Sequence, residues 1–256
     1  MSDTSSICSD TSFMSDIDYV SSINFDLSNG SPIDINNVNI IHYNINSITV
    51  DGRIDQLTDY CKLLGIDILV ITESKLDETI PNNLLIIPGY HEPLRRDRPI
   101  NGRHGGGVLI YIADHLLFEQ KTSLQSEHFE HIWADIKFAN QTFAVNALYR
   151  PPSENIADHD IFLTTIDDIL QNLQRYSATH KIITSDMNYG NIYCKMPILD
   201  HKPLDSKAPD IFASYGFSQL IDIPTRVTSQ CVSLIDLFYV DCNSDVLNHG
   251  TLPKNS

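Results

Sequence analysis

The sequence predicts an α/β sandwich, α+β in the broader sense, with mixed sheets. Three observations carry this. Apolar strand-like runs alternate with amphipathic helices along the chain. An antiparallel hairpin interrupts that alternation in mid-chain, where a plain doubly wound fold would have none. Neither an internal repeat nor a second hydrophobic core is visible.

The elements follow in order. Residues 1–36 are rich in Ser, Asp and Asn, and "SDTSSICSDTS" is close to a short self-repeat. Such a segment buries too little apolar surface to offset its ordering entropy, so a disordered acidic leader is expected. The alternative is an extra edge strand around "FMSDIDYV". From residue 37 to residue 256 a single folded domain is expected. "NVNIIHYNI" reads as a buried strand. "RIDQLTDYCKLLG" spaces Ile54, Leu57, Tyr60 and Leu63-Leu64 as a helix does and stops at Gly65. "IDILVITES" is a strand, and after Pro88-Gly89 the polar loop "RRDRPINGRHGGG" leads into the strand "VLIYIA". "HIWADIKFANQTFAVNALY" is a hairpin around "AN". The helix "DIFLTTIDDILQNLQRY", the strand "KIITSD", the helix "APDIFASYGF" and the strand "VSLIDLFYV" complete the chain.

Composition narrows the function classes. A chain of 256 residues holds one large domain or two small ones. No run approaches the roughly 20 apolar residues of a membrane span, and no basic, then apolar, signal peptide opens the sequence. The expected protein is intracellular, nuclear or cytoplasmic, with no membrane association. The five cysteines are scattered without a CxxC pair, so no zinc or disulfide framework is indicated. A net charge of −16 argues against a simple basic nucleic-acid binder. Residues 1–52 contribute much of it, with no Lys or Arg and seven Asp. An acidic site built around a divalent cation would also be negative without repelling a phosphate, because the metal inverts the local charge.

Several expected strands end in a polar residue suited to metal or phosphate. Asn44 ends "IIHYN", Glu73 follows "ILVIT", and Tyr149 and Arg150 end "VNALYR". Asp186 and Asn188 stand two apart in "ITSDMN", and Asp236 lies inside the apolar "SLIDLFY". Strand ends of an α/β sandwich converge on one edge, where sites collect. Mg²⁺ (or Mn²⁺) needs only one or two carboxylates beside a phosphate. A further carboxylate takes a proton from water, and carboxamide and phenol groups stabilise phosphoryl charge. Each residue alone has a plainer explanation: "SDMN" as an Asx-turn, Asp236 as an outward-facing residue, Tyr149 as packing.

The segments "HYNINSI", "DILVITESKL", "RRDRPINGRHGGGVLIYI", "ALYRPP", "ITSDMN", "IPTR" and "SLID" span about residues 38 to 254. Their order resembles the endonuclease/exonuclease/phosphatase superfamily, and more narrowly the endonuclease domain of non-LTR (LINE-type) retrotransposons. The resemblance implies a DNase-like four-layer αββα sandwich of two mixed β-sheets. It implies Mg²⁺-dependent hydrolysis of a phosphodiester, nicking DNA to leave a 3′-hydroxyl that primes reverse transcription. Carried onto this chain, Glu73 holds the metal with Asn44 nearby. Asp186 orients or deprotonates the attacking water. Asn188 donates to the scissile phosphate and holds Asp186. Tyr149 contacts the phosphate, and Asp236 orients a C-terminal histidine.

Two departures accompany the resemblance. Ser185-Asp186-Met187-Asn188 stands where Gly-Asp-Phe-Asn is usual. The family also continues into a Ser-Asp-His or Ala-Asp-His motif where this chain reads "NHGTLPKNS" to Ser256. The expectation is a domain truncated before that motif, lacking its C-terminal strand and exposing a sheet edge. Its activity would be weakened or absent, since each lost acid/base or charge-stabilising group lowers the rate by about 10²- to 10⁴-fold. His249 is not expected to substitute, and Ala113-Asp114-His115 reads as a surface helix start.

The loop carrying Arg95, Arg96, Arg98 and Arg103 is the densest basic cluster. It either touches the phosphate backbone or pairs internally with Asp97 and Glu92. Its glycines match no nucleotide-binding fingerprint and fit a close backbone approach or a bend. Arg96, Arg98, Arg103, Arg150, Thr225 and Arg226 are the candidate phosphate contacts, with DNA as the partner. Three functions remain open: the nicking endonuclease, a non-catalytic relic of the same fold with residual nucleic-acid or metal binding, and a phosphatase acting on a small or lipid substrate.

Overall fold

Fourteen strands and three helices are seen in the computed structural model, which describes residues 17–26, 37–98, 105–138, 140–153, 155–188, 207–227, 232–241 and 246–253. The first sheet contains β1 (Ile17–Asp26), β2 (Asn37–Asn44), β3 (Ile68–Thr72), β4 (Leu94–Arg96) and β5 (Val108–Ile112). The second contains β6 (Leu117–Gln120), β7 (Glu130–Phe138), β8 (Gln141–Tyr149), β9 (His180–Asp186) and β10 (Ser218–Gln219). β11 (Arg226–Val227), β12 (Val232–Ser233) and β14 (Val246–Pro253) join the first sheet, and β13 (Asp236–Val240) the second. The first sheet runs β12-β11-β1-β2-β3-β5-β4 with β14 also on β1; the second runs β10-β13-β9-β8-β7-β6. Each contains one parallel pair, β2 with β3 and β8 with β9, among antiparallel ones, so both are mixed.

Period-two alternation divides each strand between two cores. Val38, Ile40, Ile68, Val70, Val108 and Ile110 point between the sheets. Ile41, Leu69, Ile71, Leu109 and Tyr111 point outward onto α1 (Arg53–Leu64), whose Leu57 and Cys61 meet them. Helix α1 closes on Gly65 at φ 57, the left-handed turn that glycine adopts without a Cβ penalty. On the far face, α2 (Ile156–Gln174) and α3 (Lys207–Ser214) cover the second sheet with Phe162, Ile166, Leu170 and Phe212. The layers are thus helix, sheet, sheet, helix. No described helix is long and apolar enough to cross a membrane.

Three expectations are corrected. Part of the leader is ordered: residues 17–26 form β1, antiparallel to β2 with Ile23 opposite Ile40. Its Ile23 and Phe25 are buried between polar Ser22 and Asn24, an alternation hidden by the surrounding Ser and Asp. The remainder of residues 1–36 lies outside the described residues. The edge of β2 is consequently not exposed, because β1 pairs with it and β14 pairs with β1. Finally, "VSLIDLFYV" is two strands: β12 belongs to the first sheet and β13 to the second. The chain crosses between sheets immediately before Asp236, which explains a carboxylate inside an apolar run.

Candidate active site

The strand ends converge. Residue 44 is the last of β2, and its side chain faces the second sheet. Asn44 Nδ2 donates to Asp186 Oδ2 at 2.7 Å and to Glu73 Oε1 at 3.1 Å. One carboxamide therefore joins the two sheets through two carboxylates. Asp186 ends β9, is fully buried, and its Oδ1 accepts the Asn188 backbone N–H at 3.2 Å. Its Cα partners are Tyr149 on one side and Asp236 on the other. Asn188 Nδ2 donates to the Arg150 carbonyl at 2.9 Å. The backbone N–H of Asn188 is what holds Asp186. Asn44, Glu73, Tyr149, Asp186, Asn188 and Asp236, scattered over nearly 200 residues of sequence, stand at one edge of the sandwich.

The electrostatics suit a cation. Burial raises the pKa of Asp186 well above the ordinary carboxylate range, and the negative charges of Asp236 and then Glu73 raise it further. The phenol of Tyr149 is likewise pushed up by burial, then by Glu73 and Asp186. Asp186 and Asp236 are buried and Glu73 is half-buried, and these neighbouring carboxylates repel one another, a repulsion that a divalent ion would relieve. Among the described residues no group of three or more His, Cys, Asp or Glu side chains is gathered as a metal cage. The donor set fits a hard ion that keeps most of its waters: Glu73, with Asn44 and Asp186 adjoining.

Backbone strain concentrates here. Asn46 (φ 49), Ser47 (φ 95), Glu73 (φ 53), Lys75 (φ 54) and Asn188 (φ 50) all occupy positive φ. The loops holding them are laced together by Ser47 N–H to Glu73 O at 2.8 Å, Ile48 N–H to Ser74 O at 3.0 Å and Lys75 N–H to Gly106 O at 2.8 Å. The glycine run provides a close approach: a Cβ on Gly107 (φ +84) would lie 2.4 Å from Ser74 Oγ, and one on Gly106 would meet the Arg98 guanidinium at 2.6 Å. Ser185, by contrast, sits in ordinary strand β9 opposite Leu237, so its Cβ is accommodated where glycine is usual. Met187 is fully buried in the main core.

The expected phosphate contacts divide. Thr225 is buried, and its hydroxyl accepts the backbone N–H groups of Ile235 and Asp236, both at 3.1 Å. It anchors the crossover and presents nothing to a ligand. Arg150 is also turned inward: Nη1 donates to Met187 O at 3.1 Å, and the guanidinium lies against His159 and the Phe162 ring. Arg96 donates to His131 O at 3.2 Å. Arg98 pairs with Glu130 and stacks 5.4 Å from the Tyr149 ring centroid. Arg95 grips Asp97 with two bonds, at 2.7 and 2.6 Å. Internal pairing thus describes most of the basic loop. Arg226 is exposed on β11, and Arg103 lies outside the described residues. Ala113-Asp114-His115 is a bridge and turn, not a helix start, with His115 3.4 Å from Asp67. His249 lies on β14 opposite Ile23. One residue was missed by sequence reasoning: His42, fully buried with its Nδ1 3.5 Å from Asp236 Oδ1. Its position two residues before Asn44, hence on the same strand face, was the signal available.

Comparison with known proteins identifies the fold and the family. The family model of the Endonuclease/Exonuclease/phosphatase family matches residues 41–193. No curated protein matches the chain. Among solved structures, the chain is similar to the endonuclease domain of TRAS1, a telomere-specific non-LTR retrotransposon, at 13% identity and a TM-score of 0.56, over 78% of this chain and 83% of that one. It is similar to the AP endonuclease LMAP of Leishmania major at 14% identity and a TM-score of 0.58, over 78% of each. The 3′ phosphatase NExo from Neisseria, bound to a product DNA hairpin, matches at 15% identity and a TM-score of 0.54, over 78% of this chain and 85% of that one. At such identities the likeness is one of fold, and it is the DNase-like sandwich of two mixed sheets. The family match covers more than half of the sequence, including Asn44, Glu73, Tyr149, Asp186 and Asn188, and on it the chain belongs to the endonuclease/exonuclease/phosphatase family.

Proposed function

We propose that the chain is a Mg²⁺- or Mn²⁺-dependent phosphodiesterase that nicks DNA, of non-LTR retrotransposon origin. The observation that carries this is the Asn44 carboxamide bridging Glu73 and Asp186 at the strand ends of both sheets. Glu73, with Asn44 beside it, would hold the metal. When bound, a divalent ion supplies charge stabilisation at the phosphoryl oxygens. Asp186, kept protonatable by burial and like charges, takes a proton from the attacking water. The Asn188 backbone N–H fixes the direction of that carboxylate, and its carboxamide turns from the Arg150 carbonyl toward phosphate on binding. Tyr149, poised by the Arg98 stack, would donate a hydrogen bond from its phenolic O–H to a phosphate oxygen and keep its proton. The exposed Lys75 and Arg226 are the candidate backbone contacts, with Arg103 proposed from the sequence alone. DNA is favoured over a small or lipid phosphate because the series from "GGGVLIY" to "YRPP" resembles the LINE-type endonuclease domain.

The second reading is a fold that binds metal or nucleic acid without turnover. One observation favours it: the imidazole set against Asp236 is that of His42, which is fully buried and cannot touch a phosphate. A plasmid-nicking assay with Mg²⁺ or Mn²⁺ separates the two. Nicking that Glu73→Ala and Asp186→Ala each abolish establishes the enzyme; metal-dependent DNA binding without nicking establishes the relic.

A further inference from the structure

His42 and Asn44 share one face of β2, and they reach across the sandwich to two carboxylates that are themselves neighbours. Asn44 meets Asp186 at 2.7 Å, and His42 Nδ1 stands 3.5 Å from Asp236 Oδ1. Asp186 and Asp236 are Cα partners of adjacent strands. The sheets therefore meet at two polar pairs, a hydrogen bond from Asn44 to Asp186 and a longer approach of His42 to Asp236. The other side of the imidazole also leads into the site. His42 Nε2 is 3.1 Å from Thr72 Oγ1, and Thr72 precedes Glu73. The ring edge meets Phe238 at 90°, with centroids 6.5 Å apart, which fixes its plane. A carboxylate beside Nδ1 calls for the proton on that nitrogen, leaving Nε2 to accept from the Thr72 hydroxyl.

We infer that His42 is a positioning residue. It clamps Asp236 of the second sheet to Thr72 of the first, and so sets the separation between Glu73 and Asp186 across which metal and phosphate are held. Its functional consequence rests on the phosphodiesterase reading; the clamp itself does not. A histidine that merely fills the core would be replaceable by any side chain of similar volume. A clamp needs both of its nitrogens. Asn at this position keeps a nitrogen near the place of Nδ1, and Gln keeps a polar atom near the place of Nε2.

The experiment uses the full chain with His42→Asn, His42→Gln and Asp236→Asn. Imidazole ¹⁵N spectra of the metal-free protein should show His42 as the Nδ1–H tautomer, with resonances that move in Asp236→Asn. Mn²⁺ affinity should fall about 10- to 100-fold in both His42→Gln, which loses the Asp236 end, and His42→Asn, which loses the Thr72 end, the loss usual for a group that orients a ligand. Nicking should fall with it through kcat, with KM for DNA unchanged. Parental Mn²⁺ affinity in either His42 variant overturns the inference, as does a His42 spectrum indifferent to Asp236→Asn. Should His42→Gln not fold, Thr72→Val takes its place, removing only the Nε2 partner, and an unmoved Nε2 resonance overturns the clamp. A parent chain that neither nicks nor binds Mn²⁺ defeats the phosphodiesterase reading, and the clamp is then decided by the imidazole spectrum alone.

Discussion

Replacing Asp186 by Asn should make the metal-free protein more stable and the enzyme inactive. Asn44 Nδ2 lies 2.7 Å from Asp186 Oδ2 and 3.1 Å from Glu73 Oε1, so the two carboxylate oxygens are less than about 6 Å apart. Two unit charges at that distance repel by about 3 kcal/mol at an effective dielectric of 20. Glu73 is half-buried and partly screened, which leaves roughly 1–3 kcal/mol. Asn brings a donor toward the Asn188 N–H that Asp186 Oδ1 now accepts, a loss of about 1 kcal/mol. The net expectation is a gain of up to about 2 kcal/mol, or up to roughly 8 °C in Tm for a domain of this size. The sign in pH follows. A carboxyl whose folded pKa lies above its unfolded value contributes stability that is fully present below the unfolded value and lost as pH rises through the folded one. In EDTA the parent should therefore weaken from acid toward neutral pH through this group, and Asp186→Asn should remove that loss. Nicking should fall by about 10²- to 10⁴-fold. Melting curves in EDTA at several pH values, paired with nicking rates, test all three. An Asp186→Asn protein that melts below the parent at neutral pH, or that still nicks, refutes the reasoning.

Four further outcomes are expected. Mg²⁺ at about 100 times its Kd should stabilise the parent by about 2.7 kcal/mol, measured by thermal melts, and Glu73→Ala should abolish the shift. His131 is fully buried, accepts the Ser126 N–H at 2.6 Å on Nε2, and is lowered to about 3 by burial and then by Arg96. Its folded pKa lies below its unfolded value, so this histidine contributes stability above pH 6.5 that is lost as pH falls, about 2 kcal/mol by pH 5. Urea titrations at pH 7 and pH 5 should show that loss, and His131→Gln should reduce it. Arg150→Ala should destabilise by about 1–3 kcal/mol, because it leaves the buried Met187 carbonyl without its donor. Arg226→Ala should leave Tm unchanged and reduce the salt slope of DNA affinity by about 0.9.

The sequence revealed what short-range pattern encodes. Strands β2, β3, β5 and β9 and helices α1 and α2 carry strong periodicity and were legible. Strand β1 was legible only as the alternative edge strand around "FMSDIDYV", because Ile23 and Phe25 become a strand only when β2 and β14 close on it from either side. The crossover before Asp236 was equally hidden, since nothing local distinguishes one apolar strand from two that part between sheets. Among site residues, the acids and amides at strand ends were readable because a buried polar group needs a reason. Thr225 and Arg150 were misread for a related cause. A hydroxyl or guanidinium suited to a phosphate is equally suited to a backbone group, and only the fold decides which it meets.

That choice bears on how the site is held. Five non-glycine residues at positive φ surround the strand ends, each costing of order 1–3 kcal/mol. Such strain persists only where neighbours over-determine it. Here the neighbours are the groups that sequence reasoning had assigned to the substrate. Arg150 fastens the Met187 carbonyl next to Asn188, and Thr225 fastens the two amides at Asp236. Gly106 and Gly107 admit Arg98 and Ser74 against the Glu73 turn. Cations and hydroxyls turned inward fix the carboxylates in the place where the proposed function puts a divalent ion. On that proposal a net charge of −16 is compatible with a DNA substrate, because a phosphate would meet the metal before it meets the acidic chain.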